Sequence, residues 1–205
     1  LAKKKNEYKK RLFKIAKERE SLRATLNKLK ILKQKESEEE KRRRMEALKR
    51  ASKDRNINDK MTVRQIGSSY QNSRVKRYRG PKTIAPLDKF VVKRKFGAYI
   101  DPIYKIKIFN EAVILKSKVK NAKVKNVLNG KVVYAKKTAV LDHVVIVENS
   151  RGIHTIYAHL NKIAPTIKVG KKIKKGYVIG RVNDELSFEV TQKSYHINPL
   201  ELIRY

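Results

Sequence analysis

Two hydrophobic rhythms divide the chain. In the first stretch Leu12, Ile15, Leu22, Leu26 and Leu29 recur at alternating spacings of three and four, with Arg19 filling one position of the series. That is a short heptad seam, the pattern of a helix that needs a second helix to cover it. Neither Pro nor Gly occurs before Gly67, and Lys, Glu, Arg, Ala and Leu, all strong helix formers, dominate. The pattern predicts a coiled-coil helix over residues 1–56. The seam fades where Glu38-Glu39-Glu40 meets Lys41-Arg42-Arg43-Arg44 and resumes weakly at Met45 and Leu48. The covering arm is expected upstream of Leu1, and a bare seam is expected to self-associate.

Residues 57–85 change character. Gly67-Ser68-Ser69, Asn72-Ser73 and Gly80-Pro81 are turn signals, so this region reads as a linker able to dock on something else. From Phe90 onward the rhythm switches to period two. Val91-Val92, Ile106 and Ile108, Val113 to Leu115, Val132-Val133, Val144 to Val147, Thr155 to Leu160, Val178-Ile179 and Leu186 to Val190 read as strands. Turn signals at Asn129-Gly130, Ser150-Arg151-Gly152, Val169-Gly170 and Lys175-Gly176 separate several of them. Short strands so closely spaced predict an all-β sandwich or open barrel over residues 86–205. The fold class expected is α+β, a long N-terminal helix followed by an all-β domain.

Charge changes the picture. The 205 residues hold 53 Lys and Arg against 19 Asp and Glu, a net charge of +34. Residues 1–56 account for +13 of it and the remainder for +21, so no single tail carries it. Such a field favours polyanions: nucleic acid, anionic headgroups or an acidic wall polymer. No zinc finger, aromatic RNP strand or Gly-x-x-Gly clamp accompanies it, and Tyr70, Tyr78, Tyr99 and Tyr104 are scattered rather than laid out for stacking. Specific nucleic-acid binding is therefore not expected. The absence of cysteine excludes a disulfide framework and a Cys-based zinc site.

Several phrases, in order, resemble the LytM (lysostaphin-like) metallopeptidase domain, a hammerhead-like β fold. They are Phe96-Gly97, Asn129-Gly130-Lys131-Val132-Val133, Thr155-Ile156-Tyr157-Ala158-His159-Leu160, the Gly-punctuated run from Val169 to Gly180, Phe188-Glu189-Val190, and Asn198-Pro199-Leu200. The resemblance implies a zinc held by a His-x-x-x-Asp pair and by the second His of a His-x-His strand. Here the first pair falls near Phe109 to Leu115, where no His stands and Leu115 takes the Asp position. The His-x-His strand reads Glu185-Leu186-Ser187, so a carboxylate and a hydroxyl replace the two imidazoles. A catalytic zinc needs three protein ligands and an open fourth position, so no metal, no cofactor and no peptidase activity are expected. His159 matches an assisting His of active members. His143, His154 and His196 match no motif position and are expected to be surface or satisfied structural residues. A carboxylate-based set of Glu111, Glu185 and His159 is the other metal arrangement weighed.

A helical arm before such a domain is similar to the EnvC class of murein hydrolase activators, in which the first ligand pair is likewise lost. That resemblance implies a non-enzymatic, periplasmic protein acting in cell division. An FtsEX-type inner-membrane complex would work on the coiled coil, and a peptidoglycan amidase would be recruited by the vacated groove under control of residues 57–85. The groove would be lined by Glu111, Leu115, Tyr157, His159, Glu185, Ser187 and Glu189. Alternatives are a zinc-dependent peptidoglycan endopeptidase, a basic wall- or nucleic-acid-binding module, and a lipoyl- or biotinyl-type carrier, which lacks its Met-Lys hairpin here.

Overall fold

The computed structural model describes residues 2–32, 42–43, 45–46, 49, 74–100, 102 and 107–205. Helix α1 spans Ala2–Lys28. The strands are β1 (Phe90–Arg94), β2 (Gly97–Ile100), β3 (Lys107–Asn110), β4 (Ala112–Ser117), β5 (Ala122–Lys125), β6 (Gly130–Thr138), β7 (Asp142–Asn149), β8 (Ile153–Leu160), β9 (Lys162–Ile163), β10 (Lys172–Ile173), β11 (Val178–Val182), β12 (Glu185–Gln192) and β13 (Tyr195–Ile197). A last short helix, α2, spans Pro199–Leu202. A helix followed by an all-β domain is the expected class.

The chain divides into two compact units, one of residues 1–73 and 98–109, the other of residues 74–97 and 110–205. In the first, α1 stops well short of the 1–56 expected. Lys30 turns into the left-handed region at φ 58°, Ile31 N–H bonds Leu26 O at 2.9 Å, and Lys30 N–H bonds Asn27 O at 3.0 Å. This is a Schellman reversal, in which two of the last orphan carbonyls are satisfied by the chain turning back. Leu26 and Ile31 are both buried, as that motif requires of its apolar pair. Gly usually marks the turn, and a Lys there hid it. Of the seam, Leu12, Leu22 and Leu26 are buried, while Ile15 and Leu29 are half-buried. Leu12 packs with Ile108 of β3, flanked by Tyr8 and Tyr99. A strand, not a second helix, covers that end of the seam. Much of 33–56 lies outside the described residues.

In the second unit an eight-stranded antiparallel sheet runs β1-β4-β12-β8-β7-β6-β10, with β13 also pairing β12, beside a three-stranded sheet β5-β11-β9. The core draws from both: Val113, Leu115, Tyr157, Leu160, Leu186, Phe188 and Val190 from the large sheet, Val124, Ile179 and Val182 from the small one. Alternation makes this possible. On β12, Leu186, Phe188 and Val190 face the core at 0% exposure, which sends Glu185, Ser187 and Glu189 to the other face. Gly130 opens β6 where a Cβ would lie 2.3 Å from Glu148 O, so the Asn-Gly turn admits no side chain.

Residues 74–85, expected as linker, belong to this unit. Lys76 N–H bonds His196 O at 3.0 Å, His196 N–H bonds Arg74 O at 2.7 Å, and Thr83 N–H bonds Leu202 O at 2.8 Å. Tyr78 N–H donates to Glu201 Oε2 at 2.7 Å. This strap runs along β13 and α2. Residues 57–73 lie outside the described residues.

Candidate functional site

The site expected from the resemblance is built where β12 lies between β4 and β8. Register fixes its members. Ser187 sits opposite Ile114 on β4 and Ala158 on β8, Glu189 opposite Ala112 and Ile156, and Glu185 opposite Lys116. Ile114 therefore shares the face of Ser187, whereas Leu115 pairs with Leu186 and is fully buried in the core. Leu115 is not a groove residue; the Asp position is Ile114, one residue earlier. Tyr157, expected in the groove, does not line it either. It pairs with Phe188 inside the core, ring centroids 5.3 Å apart, and its hydroxyl accepts from Val127 N–H at 3.0 Å. Burial pushes its phenol pKa up to about 12.

His159 reaches the outer face by a distortion. Tyr157 and Leu160 both enter the core, three residues apart, which strict alternation forbids. The register against β7 shifts between His143 and Val145, and His159 takes a φ of 62°. The bulge inserts the extra residue and turns the imidazole away from the core. Its Nδ1 then lies 2.9 Å from Asp142 Oδ2, and its N–H bonds Leu141 O at 2.8 Å. A non-Gly residue held at positive φ costs about 1–3 kcal/mol, strain that clusters at functional sites.

Glu185 is tied to Lys93, which β1 presents from a bulge between Val92 and Arg94. The set of Glu111, Glu185 and His159 is thus not assembled: each has a different partner. Glu111 instead meets a residue that no motif singled out. His196, wholly buried on β13, lies with Nδ1 3.1 Å from Glu189 Oε1 and Nε2 3.7 Å from Glu111 Oε1. His143 Nδ1 lies 3.2 Å from Leu160 O, and His154 Nε2 lies 3.8 Å from Glu148 Oε2. Burial lowers the His154 pKa, with the Glu148 carboxylate opposing the shift.

Does any of this suit the zinc that the fold implies? Ile114 offers no donor, Ser187 offers a neutral hydroxyl, and Asn110, on the His position, offers only a neutral amide oxygen, its Nδ2 donating to Lys95 O at 3.1 Å. The peptidase positions do not fit the ion. Glu111, Glu189 and His196 do have the right donor chemistry, with ligand-type atoms within 4.8 Å of one another. Their exposures are 7%, 1% and 0%. A sealed set can hold a structural cation but leaves no open position for water and substrate.

Residues 109–199 match the model of Peptidase family M23. Over 85 residues the chain is 33% identical to Stage II sporulation protein Q of Bacillus subtilis (strain 168), covering 37% of this chain and 29% of that protein. Csd3 of Helicobacter pylori superimposes at a TM-score of 0.55 with 27% identity, over 62% of this chain and 36% of that one. A zinc containing peptidase from Vibrio cholerae shares the fold, with a TM-score of 0.51 and 21% identity over 58% of this chain and 39% of that chain. The chain thus spans little more than a third of these relatives at most. The β unit thus carries, over residues 109–199, a match to peptidase M23 and the fold of LytM-type domains, and a long helix precedes it in the chain.

Proposed function

We propose that this protein is a non-enzymatic activator of peptidoglycan amidases, a LytM-type domain kept as a docking platform after its zinc centre was lost. The observation that carries this role is the facing pair Ile114 and Ser187 on β4 and β12, an aliphatic chain and a hydroxyl where an active domain would offer a carboxylate and an imidazole. Glu185, locked to Lys93, and His159, held by Asp142, complete a face that has polar handles and no reaction to run. An amphipathic helix laying its apolar side on such a face is a recurring mode of recognition. Solved complexes of SpoIIQ with SpoIIIAH place a protein of this fold against a protein partner.

The helical arm would receive its signal from an FtsEX-type membrane complex, with the protein in the periplasm. The strap at 74–85, fixed to β13 and α2, would transmit it. Two arrangements of arm and strap that bind the amidase unequally are sufficient for control.

Titration of a purified peptidoglycan amidase into this protein tests the role. Glu185→Lys and His159→Ala change the face without touching the core, and each is expected to weaken binding about tenfold, or about 1.4 kcal/mol. Unaltered binding by both variants would remove this face from the account.

A zinc endopeptidase is the second reading: Glu111, Glu189 and His196 have the donor chemistry for an ion, and cleavage would require that sealed set to open to water and substrate. One zinc per chain together with wall cleavage by the protein alone would establish it.

A further inference from the structure

A second site lies in the β unit where the strap, the end of β1 and the C-terminal residues meet. A cavity of about 540 Å³ opens there. That is within the roughly 300–1,000 Å³ of small-ligand sites. Its lining is unusual in sign. Arg77, Arg79, Lys82 and Lys95 contribute four cations, and Glu201 is the single carboxylate side chain among the described lining residues. Glu201 is already engaged, accepting from Tyr78 N–H at 2.7 Å and lying 3.5 Å from Arg77 Nε. Its charge is spent on holding the strap, leaving the rest of the lining strongly positive.

The walls are aromatic as well as basic. Tyr78, Phe96 and Tyr205 line the same space. Lys82 is oriented within it, its Nζ 5.4 Å from the Tyr205 ring centroid and 3.2 Å from Leu200 O. Cations placed among aromatic faces suit a ligand with both a negative group and a flat, weakly polar body. A simple inorganic anion would use only the first feature, and a neutral sugar only the second. Guanidinium and ammonium groups recognise carboxylate and phosphate through charge-assisted hydrogen bonds, while the rings offer flat apolar surface.

We propose that this cavity binds an acidic sugar unit, a saccharide carrying a carboxylate or phosphate, of the kind repeated in anionic cell-surface polymers. The inference is independent of amidase activation, since the cavity shares no residue with the β4–β12 face. It gives the protein a way to hold the wall while the other face holds a partner.

General attraction of polyanions to so basic a chain must be separated from a discrete site, and equal charge removal does this. Binding of trigalacturonate, glucose 6-phosphate and neutral tri-N-acetylglucosamine to the full chain is measured by calorimetry at about 0.15 M salt, where long-range attraction is screened. Arg79→Ala, Lys82→Ala and Lys95→Ala are combined in one variant. Lys118→Ala, Lys120→Ala and Lys123→Ala, exposed residues around the β4–β5 turn, are combined in another that loses the same charge. The acidic sugars are expected to bind and the neutral one not, with the cavity variant at least about tenfold weaker and the control within about threefold of wild type. Preference for trigalacturonate or for glucose 6-phosphate then assigns the carboxylate or the phosphate source. Equal losses in the two variants, equal affinity for the neutral sugar, or no binding of either acidic sugar would overturn the site. All six substituted side chains are exposed. Matched thermal unfolding of the variants confirms that binding, and not folding, has changed.

Discussion

His159 and Asp142 both hold left-handed backbone, at φ 62° and 55°, and their side chains meet at 2.9 Å between Nδ1 and Oδ2. Two strained residues thus brace one another on adjacent strands. Asn tolerates this backbone region and a β-branched residue does not. Urea unfolding should therefore find His159→Val less stable than His159→Asn by about 1–2 kcal/mol. Equal stabilities would mean that the bulge relaxes without cost.

His196 is the buried joint of the β unit. Its ring lies between Glu111 and Glu189, and its backbone holds Arg74 and Lys76 of the strap. His196→Leu takes away the ring that lies within ion-pair distance of both buried carboxylates, Glu111 and Glu189. Breaking a buried ionic set in this way costs about 3–5 kcal/mol, read as a lowered denaturant midpoint. A loss under about 1 kcal/mol would show that the set is not ionic in the folded protein.

Tyr157 supplies a pH test. Its folded pKa, raised by burial to about 12, lies above the ordinary 10. The stability that Tyr157 adds is then complete below pH 10 and is lost as pH rises through 12. Ultraviolet titration should resolve one late phenol, absent from Tyr157→Phe. Tyr177, whose pKa is lowered by Thr166 and Lys171, should titrate early.

The strap depends on Glu201, which accepts from Tyr78 N–H. Glu201→Ala should speed amide exchange at Tyr78 about tenfold or more, as expected for a lost hydrogen bond to a charged acceptor. Thr83 N–H, bonded to Leu202 O, should keep its protection. Hydrogen-exchange mass spectrometry distinguishes the two; unchanged exchange at Tyr78 would show that the carboxylate does not hold the strap.

Much of the fold was legible because periodicity is a local property. The runs at Val144 to Val147, Thr155 to Leu160 and Leu186 to Val190 became β7, β8 and β12. The shorter β5, β9, β10 and β13 were missed, since two to four residues give too few alternations to count. What decided the site was less local. Leu115 and Tyr157 were placed by the resemblance to LytM domains, and a one-residue slip in a strand exchanges core for surface. The β4–β12 register identified Ile114. Glu111, Glu189 and His196 come from three segments with no common motif, so only pairing brings them together. A Glu on β12 sharing a face with Ser187 was visible; its buried His partner was not. The strap was hidden too, because turn signals at Gly80-Pro81 describe a loop whether or not it is pinned.

Dye release from purified cell-wall sacculi, with zinc present, tests the central claim most directly. The lanes are this protein alone, a peptidoglycan amidase alone, and the two together. Release from the mixture, well above the amidase alone and with none from this protein alone, is the result that amidase activation predicts. Release by this protein alone would contradict it and make the domain a working peptidase.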